Sequence, residues 1–188
     1  MARWLPDAPG RLAVAALDLF SERGYENTTV IEIAERAGLT KSTFFRHFPD
    51  KREVLFGGNA VARLLVDGIA AAPAEATPLE AVAQVMDALG REVFTAERRE
   101  FTARRRAVIA LNPELRERDA LKELSLATAM IEALKRRGVP DLAARVAAEL
   151  GGLATKIAFD RWLDAADEDF GQVARQALGE VQAAAALC

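Results

Sequence analysis

Helix punctuation is what most limits the fold open to this chain. Start and stop signals recur at helix-length intervals, apolar stripes run between them, and no strand-like alternation or internal repeat interrupts the pattern. A first helix is predicted from about Ala8 to Arg23, with Leu12, Ala16, Leu19 and Phe20 on one stripe and Gly24 as a left-handed C-terminal cap. Thr29-Val30-Ile31-Glu32 reads as a capping box that opens a second helix, and Gly38 closes it. Thr40 caps a third, which Pro49 stops after Phe48. Asp50-Lys51-Arg52-Glu53 reads as another box, opening a fourth helix predicted to run to about Ala72. Thr77-Pro78-Leu79-Glu80 sets a cap, a first-turn Pro and a box Glu in order. Five further helices follow at about 78–94, 97–111, 113–137, 140–166 and 169–186, which makes nine.

Composition agrees with an all-α chain. It holds 39 Ala, the best helix former, against 13 Val, 6 Ile and 9 Thr. Much of the 51% hydrophobic content is therefore small side chain that suits close helix contacts. Apolar runs are broken by charge well short of a membrane span, and the N-terminal residues contain no apolar run of signal-peptide length. The single cysteine, Cys188, excludes an intrachain disulfide and fits a reducing cytoplasm. The single histidine, His47, excludes a zinc-type His/Cys cluster, and no cofactor or metal is expected. No nucleophile–base pair or Gly-rich phosphate loop is spelled out, so the chain does not read as an enzyme.

The net charge of −3 hides a local asymmetry. From Arg36 to Arg52 there are five Lys or Arg and His47 against one acid, Asp50. That basic stretch lies on two short helices joined by Gly38-Leu39-Thr40, the pattern of a helix-turn-helix. Phe44 and Phe48, four residues apart, share the core face of the second helix. Ser42, Thr43 and Arg46 then point away from the core, with Lys41, Phe45 and His47 on the flanks, a set able to meet base edges in a major groove. Thr29 and Lys51 are suited to phosphates.

Gly24-Tyr25, Thr28-Thr29-Val30, Ile33-Ala34, the run Ala37 to Phe48 and Lys51 through Leu55 resemble the DNA-binding domain of TetR/AcrR-type transcriptional regulators. The resemblance covers about residues 10–56. It implies an N-terminal three-helix DNA-binding domain (1–56) and a C-terminal helical effector-binding and dimerisation domain (57–188). It further implies a homodimer on a palindromic double-stranded operator and a small-molecule effector, with no membrane partner. Carried over by position, Thr29, His47 and Lys51 are phosphate contacts and Lys41, Ser42, Thr43 and Arg46 face the groove; the capping Thr40 is counted with the DNA-binding residues. Phe45 stands where the family often has Tyr; it loses the hydroxyl but keeps a ring for a thymine methyl or a sugar. Arg3 and Arg11 are candidates for a minor-groove arm.

The C-terminal part resembles the subgroup with hydrophobic or acyl-CoA-like effectors, through Arg104–Leu111, Asn112-Pro113-Glu114-Leu115 and Arg161-Trp162-Leu163. Candidate effector residues are Met86, Phe94, Phe101, Ile109 and Met130, with Arg105 for an anionic group and Trp162 plugging the core beside them. Each has an equally simple reading as ordinary core. Leu150, Leu153 and Ile157, with Phe170, Val173, Ala177, Leu178 and Val181, form the candidate dimer face, and intrachain packing is the alternative for each. A ligand-released repressor is the leading expectation. An effector-independent regulator or activator with a filled core, and a helical lipid carrier or enzyme, stand as alternatives.

Overall fold

The computed structural model describes residues 7–57, 59–165 and 168–187. Arg3 and Cys188 lie outside the described residues. Among the described residues nine α-helices follow in order: α1 Ala8–Arg23, α2 Val30–Arg36, α3 Lys41–His47, α4 Ala60–Ala71, α5 Pro78–Glu92, α6 Arg99–Leu111, α7 Pro113–Arg136, α8 Asp141–Asp164 and α9 Phe170–Ala185. There is no strand among the described residues.

The expected fourth helix is interrupted. Asp50 does cap, accepting from the amides of Arg52 and Glu53, but it opens only a single 3-10 turn, Arg52–Leu55. Gly57 then enters the left-handed region at φ +64°, which ends the helical hydrogen-bond ladder, and α4 starts afresh at Ala60. The two Thr boxes form as expected: Thr29 with Glu32, and Thr77 with Glu80, each with side chain and backbone exchanging hydrogen bonds. Gly24 has a positive φ (85°) but an extended ψ (156°), so it stops α1 without the left-handed cap.

The chain divides into two compact units. One takes the residues up to Asn59 together with Glu100–Lys122; the other takes Ala60–Arg99 and the chain from Glu123 onward. In the first unit, Leu12, Leu17, Leu19, Ile33 and Phe44 are fully buried, and Phe20 meets Tyr25 edge-to-face at 5.1 Å. Val108 and Ile109 of α6 and Leu115 of α7 join that same core. Polar contacts tie the later helices to the earlier ones: Arg104 pairs with Asp18 at 2.7 Å, Arg118 with Glu53, and Arg52 with Glu114 at 3.4 Å. Arg105 and Arg118 both lie over the Phe56 ring.

In the second unit, α5, α8 and α9 enclose a core of Val82, Val85, Met86, Leu89, Trp162, Phe170 and Val173. α8 approaches α5 closely at Gly151, where an added Cβ would come 2.5 Å from Val82 Cγ1. Two arginines close helix ends by donating to carbonyls at and just beyond the last turn. Arg137 reaches Ile69, Ala72 and Pro73 at the end of α4. Arg99 reaches Trp162, Ala165 and Glu168 at the end of α8, its guanidinium 4.5 Å from the Trp162 ring centroid.

Candidate nucleic-acid interface

The first candidate element is built by α2, its turn and α3. Thr29 accepts from the Glu32 amide and donates its hydroxyl to the Glu32 carboxylate, so its side chain is engaged in capping α2. Those Thr29 donors hold the Glu32 carboxyl below its ordinary pKa, with Arg23 adding to the effect. Gly38, at φ +65°, turns the chain; its amide donates to Glu35 and the Leu39 amide to Ala34. Arg11 lies beneath this turn, donating to the carbonyls of Ala37 and Gly38. It thus caps α2, and its guanidinium is already engaged there.

Thr40 then caps α3, accepting from the Thr43 amide at 3.2 Å, with the hydroxyls of Ser42 and Thr43 at 2.9 and 3.0 Å from its own. Phe44 is fully buried and Phe48 nearly so, their centroids 5.6 Å apart, and they anchor α3 on α1 and α2. Thr40, Lys41, Ser42, Phe45, Arg46 and His47 are exposed, and Thr43 is half-buried.

The basic residues of this stretch sort into two kinds. Arg36 forms a two-pronged pair with Glu22, and Arg52 pairs with Asp50. Lys51 is half-buried; its ammonium donates to the Tyr25 carbonyl at 2.7 Å and sits 3.9 Å from the Tyr25 ring centroid. Burial, reinforced by Glu114, pushes the Tyr25 hydroxyl far above its usual pKa, so it stays protonated. Lys41 and Arg46, by contrast, meet no carboxylate among the described residues. The charge left over for an external partner is therefore concentrated on α3.

Residues 12–57 match the model of the tetR family of bacterial regulatory proteins. This stretch is therefore similar to the DNA-binding domain of that family. It is 42% identical over 78 residues to the HTH-type transcriptional regulator TcmR of Streptomyces glaucescens, covering 40% of this chain and 34% of that one. The chain spans about a third or less of the length of the curated relatives it matches. Among solved structures it is similar to the SmeT–triclosan complex, SmeT being a repressor from Stenotrophomonas maltophilia, at TM-score 0.61 and 21% identity over 94% of this chain and 90% of that one. It is also similar to Thermus thermophilus FadR, a TetR-family repressor solved with lauroyl-CoA, at TM-score 0.50 and 24% identity over 93% of each. These likenesses show the fold alone, along nearly the whole chain.

The candidate effector residues are divided between the two units. Phe101, Arg105 and Ile109 belong to the first unit, while Met86, Phe94, Met130 and Trp162 belong to the second. Arg105 donates to the Leu55 carbonyl at 2.5 Å and faces Asp119 at 3.4 Å. Burial lowers its guanidinium pKa and Asp119 opposes that, so its charge already has a partner in the chain. In the second unit Phe94 stacks on Phe159, Trp162 and Phe170, with ring centroids 4.3 to 5.9 Å apart. An open cleft of about 590 Å³ exists elsewhere in this unit, lined by Thr77, Pro78, Leu79, Pro140, Leu142, Ala143, Val146, Ala147 and Gln182. None of the expected effector residues lines it.

The candidate dimer residues separate by helix. On α9, Phe170, Val173, Ala177, Leu178 and Val181 are all buried by their own chain, against α5 and α8. Their stripe packs inward, the intrachain alternative that the sequence left open. On α8, Leu153 is 50% exposed and Leu150 and Ile157 are half-buried. Leu142 (74% exposed) and Val146 extend that stripe toward the helix start; sequence reasoning did not single them out. At 100° per residue all five fall within an arc of about 80°.

No helix among the described residues is long and apolar enough to cross a membrane, and no group of three or more His, Cys, Asp or Glu is placed to hold a metal ion.

Proposed function

We propose that this chain is a cytoplasmic transcriptional repressor that binds a palindromic operator as a homodimer and is released by a small hydrophobic or acyl-CoA-like effector. The observation that carries the DNA-binding part is the pair of carboxylate-free cations, Lys41 and Arg46, on an exposed and capped α3. Lys41, Ser42, Thr43 and Arg46 meet base edges in the major groove; Thr40 orients the start of the helix. His47 contacts a phosphate, with the remaining donors of Lys51 contributing from their anchored position, and Thr29 joins them by turning its one hydroxyl proton from Glu32 to a phosphate oxygen. The C-terminal residues from 57 onward supply the dimer and effector functions.

The dimer forms through the α8 stripe of Leu142, Val146, Leu150, Leu153 and Ile157, since a row of apolar side chains open along one helix face is what a two-fold helix pairing buries. Support for an effector comes from the ligands of the similar proteins, triclosan and lauroyl-CoA. A second reading, an effector-independent regulator, is favoured by the core itself: Met86, Met130, Trp162 and Phe170 are buried and Phe94 is stacked among aromatics. Selection of bound DNA from a random pool tests the main reading. A two-fold symmetric consensus with half-site centres about 34–36 Å apart, one helical turn, is expected; absence of any enriched sequence rejects it. Thermal-shift screening against fatty acyl-CoAs and hydrophobic drugs separates the two readings, because only an effector that binds the folded state raises Tm.

A further inference from the structure

The core anchors of α3 lie at its middle and its end. Phe44 and Phe48 are buried there, whereas Lys41 and Ser42 are exposed and Thr43 is half-buried. Yet a recognition helix meets base edges chiefly with its N-terminal residues. Where those residues stand is therefore governed by the turn that leads into them, Ala37 to Thr40. α2 and α3 are seven residues each, too short to keep a direction without outside ties.

Leu39 gives that turn an apolar tie, half-buried against the core. Arg11 gives it a polar one. It rises from the first turn of α1 beside Leu12, which is fully buried, so its base is fixed. Its Nη2 donates to the carbonyl of Ala37, the C-cap of α2, and to that of Gly38 at 3.4 Å. The guanidinium lies so close to the turn that a Cβ on Gly38 would come 3.0 Å from Nη2. Its positive charge also suits the C-terminal end of α2, where the helix dipole is negative. No carboxylate pairs with Arg11 among the described residues, so nothing there draws it from these two carbonyls.

We propose that Arg11 is a positioning residue for operator recognition. It holds the turn ahead of α3, and with it Lys41, Ser42 and Thr43, in the direction that matches base edges, and touches no DNA itself. The proposal rests on α3 being the DNA-facing helix. The minor-groove role that the sequence also allows for Arg11 makes a different demand. A direct contact adds charge to any duplex, whereas a tie acts only through α3 and so only on sequence preference.

The test uses the full chain, an operator selected from random DNA and a scrambled duplex of the same length. Arg11→Met keeps the apolar stem and removes the donors. Affinity is read by fluorescence anisotropy across a salt series, with Tm measured alongside. Arg11→Met is expected to bind the operator at least about fivefold more weakly, the loss of roughly one base contact. Its affinity for the scrambled duplex is expected to stay within about twofold of the parent, with the salt slope unchanged on both duplexes. Arg11→Lys, which keeps a cationic donor, is expected to fall between the two. A loss shared equally by both duplexes, with a salt slope lower by about one, makes Arg11 a phosphate contact and overturns the proposal. Unchanged operator affinity in Arg11→Met overturns it too, whatever the Tm, because the tie then serves stability alone. If Arg11→Met does not fold, Arg11→Lys is judged against the same outcomes. A pool that yields no enriched DNA overturns the DNA reading of α3 and this proposal with it, before any variant is made.

Discussion

Leu115 sits in the first turn of α7, 68 residues beyond the end of α3, yet it is 0% exposed and packed in the core of the N-terminal helices. Leu115→Ala removes three carbon groups, worth about 2.4 kcal/mol at roughly 0.8 kcal/mol each. The cavity left behind brings the expected loss to about 3 kcal/mol. For a chain of this size that is a fall in Tm of about 6–12 °C. Leu111, at the end of α6, is the matched control: it lies in the same unit but is 82% exposed, so Leu111→Ala should stay within about 0.5 kcal/mol of the parent. Calorimetric melts of the three proteins decide the matter. If Leu115→Ala melts no lower than Leu111→Ala, α6 and α7 do not complete the N-terminal core, and the division into units given above is wrong.

Other outcomes follow from single contacts. Gly151→Ala forces a methyl group to 2.5 Å from Val82 and should destabilise the second unit by about 1–3 kcal/mol in urea melts, with Val82→Ala restoring part of the loss. The Glu80 carboxyl is held below its ordinary pKa by the Thr77 amide and hydroxyl. A lowered folded-state pKa means the contribution is complete above the unfolded value and is lost as pH falls through the folded one. Glu80→Gln should therefore flatten the acid limb of a Tm-against-pH curve below about pH 4.5, and an unchanged limb would contradict this. Arg137→Met keeps the apolar stem but leaves the carbonyls at the end of α4 without their donor; a fall in stability of about 1–3 kcal/mol is expected by chemical denaturation.

What could be read from the sequence was local. Thr29 with Glu32 and Thr77 with Glu80 each announce a helix through hydrogen bonds that close within three residues, and both form. Asp50 announced a helix by the same pattern, yet the ladder ended at Gly57, because a cap signals a start and says nothing of length. Long-range roles left no local trace. Arg99 caps carbonyls 63 to 69 residues away, and Arg105 reaches Leu55 across 50. The α9 stripe was legible as apolar, but a stripe reads alike whether it faces its own chain or a partner; only packing against α5 and α8 assigns it inward. The candidate interface was the most legible part, since the buried Phe44 and Phe48 determine which α3 side chains point outward. Which cations were already paired was not, because Glu22 meets Arg36 from another helix.

The central claim is that α3 reads DNA through its unpaired cations. Anisotropy titration of the selected operator with the parent chain and with Lys41→Ala/Arg46→Ala tests it most directly, with Tm and oligomeric state measured alongside. The account predicts at least a tenfold weaker complex for the double variant and a reduced preference for the selected operator over a scrambled duplex, with folding and assembly unchanged. Equal affinity and an equal preference would contradict it.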